Sequence, residues 1–168
     1  MAVRIRPKLK RDKPAIMRIL RDTPEFKPAE VVIAEEVIDS YLADPYGSGY
    51  HAAVAELSSA IVGYISYGLA PLTEGTWDIY WIAVVAGRQG KGTGTALLTY
   101  AEDKIRQAEG RLIVIETSSQ PGYKKARCFY LNHGYEAIAR LPDFYAPGDD
   151  KLILQKRLLN SQLRDHPP

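Results

Sequence analysis

The residues with the clearest capacity for chemistry are Gln89, Gly90, Lys91, Gly92, Thr93, Gly94 and Thr95. Glycine has no Cβ, so an anion can approach the backbone closely where glycines alternate with other residues. If a helix starts here, its first N–H groups lack intrahelical acceptors and its dipole presents a positive end. Arg88 and Lys91 add positive charge. The chemistry this suits is the cradling of a phosphate or pyrophosphate. Three glycines in a first helical turn would cost about 1 kcal/mol each relative to Ala, which a bound anion would offset. A tight strand-to-helix turn with no ligand would use the same glycines. The stretch is not a P-loop: Gly87 and Gly92 have that spacing, but Thr93 stands where the lysine must be. Nor is it the dinucleotide fingerprint, because the glycines fall as GxGxG.

Two elements position this turn. Trp77 to Val85 is apolar, β-branched and aromatic, the composition of a buried strand. Beyond the glycines, Leu97, Ala101 and Ile105 recur every four residues with Leu98 and Ala108 on the same side, which predicts a helix with one apolar face. Upstream, Val3 to Arg6 reads as a short strand. Asp12 reads as an N-cap with Pro14 in the first turn of a helix that ends near Arg21. A proline-punctuated loop then leads to a second helix over Glu30–Leu42, with Val31, Ala34, Ile38 and Tyr41 on one face and Glu35, Glu36 and Asp39 on a solvated one. His51–Glu56 and Ile61–Leu69 predict a hairpin. Gly63 and Gly68 inside its second strand point to a bulge or a close backbone approach.

Downstream, Leu112–Ile115 is a continuous apolar run, as a central buried strand requires, and it ends at Glu116. Gly122–His133 predicts a helix closed by Gly134. Tyr135–Arg140 and Lys151–Leu158 read as strands on either side of a loop or hairpin at 143–150. A domain over 1–159 with a frayed tail over 160–168 follows.

Length and composition agree with one α/β domain. The 168 residues are 46% hydrophobic and 25% charged, ordinary for a globular chain that buries a real core. A net charge of +2 implies no nucleic-acid or membrane partner. No apolar run approaches 18 residues and no leader pattern opens the chain, so a cytoplasmic location is expected. One cysteine and three histidines leave no internal disulfide and no metal site. Eleven tyrosines suit strands and polar-edged pockets without selecting a function.

Gln89-Gly90-Lys91-Gly92-Thr93-Gly94 resembles the (Q/R)-x-x-G-x-(G/A) pyrophosphate motif of the GNAT acetyltransferases. Ala126 to Tyr135, with Phe129-Tyr130 and Gly134-Tyr135, is similar to that family's A-x-x-F-Y-x-x-x-G-(F/Y) pattern. Two motifs in the right order carry the resemblance over most of the chain. Within the family it is nearest to N-terminal-amine acetyltransferases of the ribosomal-protein alanine type. The fold this implies is a mixed, mostly antiparallel twisted sheet of about seven strands with about four helices on both faces.

The activity it implies is acetyl transfer from acetyl-CoA to a primary amine by direct attack, without a metal. The acceptor could be a small molecule, an amino acid or a peptide N-terminus, and the protein a monomer or homodimer. Ile82, Ala83 and Val84 would form the splayed fourth strand whose N–H groups polarise the thioester carbonyl. Residues Gln89 to Thr95 would hold the pyrophosphate. Tyr130 would act as general acid toward the departing thiolate, a phenol near pKa 10 donating to a thiol near 8.5.

For the general base, Glu116 is placed ahead of Asp78. Burial at the end of an apolar strand would lift the Glu116 carboxyl toward a useful range. Asp78 lies eleven residues before Gln89, where some members carry a base, and a base acting through water is the third case. Cys128 reads as a small core residue, and His51 and His133 as structural. Trp77, Tyr80, Trp81, Phe144 and Tyr145 read as packing residues or as the walls of an amine pocket. The rival reading is a catalytically silent acyl-CoA-binding domain that keeps Gln89–Gly94 and does not depend on Tyr130.

Overall fold

A computed structural model describes residues 3–158. The tail expected over 160–168 lies outside the described residues. Four helices and a seven-stranded mixed sheet form, with strand order β1-β2-β3-β4-β5-β7-β6. These are β1 (Arg4–Pro7), α1 (Lys13–Arg21), α2 (Pro28–Ala43), β2 (Tyr50–Leu57), β3 (Ala60–Leu69), β4 (Thr76–Val84), α3 (Thr93–Gln107), β5 (Leu112–Ser118), α4 (Lys124–Asn132), β6 (Glu136–Ala146) and β7 (Asp149–Arg157). The expected fold class is therefore found. The described residues group into two compact units, the first running through Leu69 and including Ile79–Ile105, the second comprising Ala70–Asp78 and the chain from Arg106.

In the first unit, β1, β2 and β3 are antiparallel neighbours. The β2–β3 hairpin turns on Ser58 and Ser59, both with positive φ, as a two-residue primed turn requires. The expected bulge is found: Ala55 pairs with Gly63 and Glu56 with Ile61, which leaves Val62 as the extra residue beside Gly63. Gly63 and Gly68 also permit close approach: an added Cβ would lie 2.9 Å from Leu97 Cδ1 at the first, and 2.7 Å from the Gly49 carbonyl at the second. Ile16, Met17, Ile19 and Leu20 of α1 and Ala34 and Ile38 of α2 bury against Ala52, Val54 and Tyr64.

Asp12 sits at the start of α1, but its carboxylate does not cap the helix. It takes the Arg6 guanidinium at 2.7 and 2.9 Å and the Leu9 N–H at 2.7 Å. Glu35 and Asp39, expected on a solvated face, both pair with Lys13 of α1, at 3.1 and 2.6 Å. Leu97, Leu98, Ala101 and Ile105 of α3 are buried as the periodicity predicts. Ala108 is exposed, because the helix ends one residue before it.

In the second unit, β4 enters parallel to β5 through Thr76↔Leu112, Trp77↔Ile113 and Asp78↔Val114. β5 pairs antiparallel with β7, and β7 with β6. The segment 143–150, expected as a loop or hairpin, is the tip of the β6–β7 hairpin: only Pro147 and Gly148 separate the two strands. Asp150 makes this possible by accepting from the Asp143 N–H and the Arg140 guanidinium across the hairpin. Among the described residues, no helix is long and apolar enough to cross a membrane.

Candidate active site

The glycine turn belongs to the first unit. After β4 a single 3₁₀ turn, Ala86–Arg88, leads to Gln89, and α3 begins at Thr93. Gly90 and Gly92 have φ of +70° and +80°. That left-handed region costs a residue with a Cβ about 1–2 kcal/mol. So the turn itself requires two of the glycines, and only Gly94 lies inside the helix, contrary to the expected three.

Among the described residues, and apart from each glycine's own chain neighbours, no atom lies within 4 Å of where a Cβ would stand on Gly87, Gly90 or Gly92. The polar side chains of the turn largely stabilise the turn. Gln89 Nε2 donates to the Val84 carbonyl at 3.1 Å, and Lys91 Nζ to the Gly87 carbonyl at 2.8 Å. Thr93 turns its side chain inward. That side chain is fully buried, its Oγ1 has no hydrogen-bond partner among the described residues, and its methyl faces Gly63. Its backbone N–H is what remains for an anion. Thr95 is exposed on the first turn of α3.

Ile82, Ala83 and Val84 close β4, with Ala83 buried. The Val85 N–H donates to the Val62 carbonyl at 3.0 Å and ties the strand end to β3. Arg88 Nε is buried with no partner among the described residues. Open space over two left-handed glycines, a helix start and a guanidinium Nε awaiting an acceptor suit a diphosphate.

The three catalytic candidates belong to the second unit. The Asp78↔Val114 register puts Asp78, Val114 and Glu116 on one face of the β4/β5 pair, with Asp78 and Glu116 as diagonal neighbours. Trp77, Ile79, Ile113 and Ile115 are the buried residues that alternate with them. Asp78 is half-buried, and burial pushes its carboxyl above the usual range, with the charge of Glu116 adding to the effect. Glu116 does not have the burial expected of it. Its strand runs on to Ser118, its side chain is 52% exposed, and its Oε2 pairs with Lys151 Nζ at 2.6 Å. Of the two carboxylates it is Asp78, not Glu116, that has the burial expected of a base.

Tyr130 lies in the last turn of α4 and is buried. The backbone fixes it there. The Tyr135 N–H donates to the Tyr130 carbonyl at 3.2 Å and the Gly134 N–H to the Leu131 carbonyl at 3.1 Å, with Gly134 at φ +83°. This is a Schellman cap, and its customary apolar contact is the edge-on packing of the Tyr130 and Tyr135 rings at 5.7 Å. The Gly-aromatic pair of the second motif thus positions the tyrosine that precedes it. Burial pushes the Tyr130 phenol up, so it holds its proton firmly at neutral pH.

One turn earlier, Arg127 Nη1 donates to the carbonyls of Ser118 and Gln120 at 2.6 and 2.9 Å, docking α4 on the end of β5. Cys128, expected in the core, is exposed instead, because the buried side of this short helix is taken by Tyr130.

His51 stacks on Tyr67 with ring centroids 5.4 Å apart, and burial lowers its pKa. His133 caps α4, its Nδ1 2.7 Å from the Phe129 carbonyl. Trp77 packs in the interior, Tyr80 meets Tyr50 edge-on at 5.6 Å, and Trp81 packs against the first unit's core. Phe144 and Tyr145 are about half exposed, at 51% and 44%, and are not core residues. Sequence reading missed Lys151 and Arg127. Nothing in the sequence distinguishes them among the 22 lysines and arginines, since their partners come from other strands.

Comparison with known proteins is consistent with this geometry. A family model described as "Acetyltransferase (GNAT) domain" matches residues 48–137. An uncharacterized N-acetyltransferase of Methanocaldococcus jannaschii is 34% identical over 110 residues, 65% of this chain and 67% of that one. Blasticidin-S acetyltransferase of Streptomyces morookaense is 29% identical over 144 residues, 84% of this chain and 88% of that one. A crystal structure assigned to the GNAT family from Desulfovibrio desulfuricans superposes with a TM-score of 0.90 at 39% identity, covering 93% of this chain and 99% of that chain.

Proposed function

The chain belongs to the GNAT family of acyl-CoA-dependent N-acetyltransferases, and on that premise we propose that Asp78 is the general base and Tyr130 the general acid of its acetyl transfer to an amine. Acetyl-CoA supplies the activated acyl group. The turn from Arg88 to Thr95 binds its pyrophosphate, chiefly through backbone N–H groups and the Arg88 guanidinium.

Asp78 takes the proton that an ammonium acceptor must lose before it can attack. Its raised pKa suits it to this, since a base titrating closer to working pH is stronger than an ordinary carboxylate. Tyr130 holds its proton for the departing sulfur, and its locked ring keeps the phenol oriented. The observation that carries this reading is the environment of Asp78: half-buried in β4 and diagonal to a second carboxylate, Glu116, across the β4/β5 pair.

The acceptor is a primary amine of a small molecule, an amino acid or a peptide N-terminus. Blasticidin S, named for one relative, is a first candidate to assay. The deciding experiment is the pH dependence of kcat/KM for the parent and for Asp78→Asn. A parent acid limb above the usual carboxylate range, abolished in Asp78→Asn while acetyl-CoA still binds, supports the assignment. An unchanged profile in Asp78→Asn removes Asp78 from the mechanism.

A further inference from the structure

Lys151 is the third residue of the last strand, opposite Ser118 of β5 and Leu141 of β6. Its ammonium has two partners. Glu116 Oε2 lies 2.6 Å away, and the Phe144 ring of β6 lies 3.8 Å from Nζ. Only 13% of the Lys151 side chain is exposed, against 52% for Glu116. A lysine held by a carboxylate on one side and an aromatic face on the other has little freedom to leave.

The charge pattern of this face is short. By register its charged side chains are Asp78 of β4, Glu116 of β5 and Lys151 of β7, with Arg157 of β7 opposite Leu112 and Glu136 of β6 opposite Gln155 farther along the same face. At the start of β7, Asp149 accepts from the Ser118 hydroxyl and Asp150 pairs with Arg140. The charge of Glu116 adds to the burial that raises the Asp78 carboxyl, and Lys151 is ion-paired with Glu116.

We propose that Lys151 is a positioning residue for the base: clamped between Glu116 and Phe144, it neutralises Glu116 and sets the charge that Asp78 faces. The inference rests on the reading of Asp78 as base. Without Lys151, Glu116 stands as an uncompensated anion beside Asp78 and makes a second negative charge there harder to form. The ion pair therefore acts at a distance from the reacting atoms. Its signature is in the pH profile and not merely in the rate.

The test is the acid limb of kcat/KM in Lys151→Met, Lys151→Arg, Glu116→Gln and the double variant Glu116→Gln/Lys151→Met. Lys151→Met should move the limb to higher pH by roughly half a unit to one unit, the size of a partly screened interaction between charges several ångströms apart. Lys151→Arg should restore it. Glu116→Gln should move it to lower pH, and the double variant should match Glu116→Gln, because the lysine then has nothing to neutralise. Lys151→Gln, which keeps part of the stem, gives the same reading should the Met variant not fold. A limb that stays at the parent position in Lys151→Met or Lys151→Gln but moves in Glu116→Gln overturns the proposal while leaving the base in place. A profile unchanged in Asp78→Asn overturns the base reading itself.

Discussion

The glycine turn and the β4/β5 carboxylate face are built by opposite means. In the turn, most polar side chains are occupied by the turn itself: Gln89 on Val84, Lys91 on Gly87, and Thr93 buried. What faces outward is backbone, opened by two left-handed glycines. On the carboxylate face, the backbone is consumed by strand pairing and the side chains do everything. There, one carboxyl is shifted by burial and its neighbour is held by a lysine. A backbone site is specified by local conformation. A side-chain site is specified by its surroundings.

The largest effect expected from breaking this contrast is at Asp78. Asp78→Asn should lower kcat/KM by roughly 10²–10⁴-fold, the usual range for one acid–base group, with acetyl-CoA affinity kept in calorimetry. Near-parent turnover would mean that the shifted carboxyl is a packing accident. Tyr130→Phe should lower kcat about 10²-fold and leave the melting temperature close to the parent's, since the ring contact with Tyr135 survives.

In the turn, effects should fall on binding and folding instead of chemistry. Gly92→Ala should cost about 1–2 kcal/mol of stability in denaturant unfolding, the strain of a left-handed residue, and weaken acetyl-CoA binding about tenfold. If affinity were untouched, the open side of Gly92 would not face the ligand. The smallest effect is at Thr93. Thr93→Val removes a buried hydroxyl that has no partner, so stability should be unchanged or rise by about 1 kcal/mol, with acetyl-CoA affinity kept. A large loss of affinity would make the Thr93 hydroxyl a donor to the ligand.

Elements with strong local signals were legible in the sequence. The apolar period of Leu97, Ala101 and Ile105, the hairpin of the two runs ending at Glu56 and starting at Ile61, and the Gly134 stop of α4 each act over a few residues, and each was found where expected. Boundaries set by distant partners were not. β5 runs past Glu116 because β7 pairs with it as far as Ser118↔Lys151, and β6 runs on to Ala146 with Asp150 bracing it from the next strand.

The same division governs the candidate site. The sequence by itself determined the glycine turn and the tyrosine with its Gly-aromatic lock, because left-handed backbone and helix capping are local demands that only certain residue types meet. Only the tertiary structure decided which carboxylate is shifted, that Thr93 turns inward, that Cys128 is exposed, and that Lys151 holds Glu116. Burial and charge depend on what the rest of the chain brings alongside, and strand register, set far away in sequence, does the bringing.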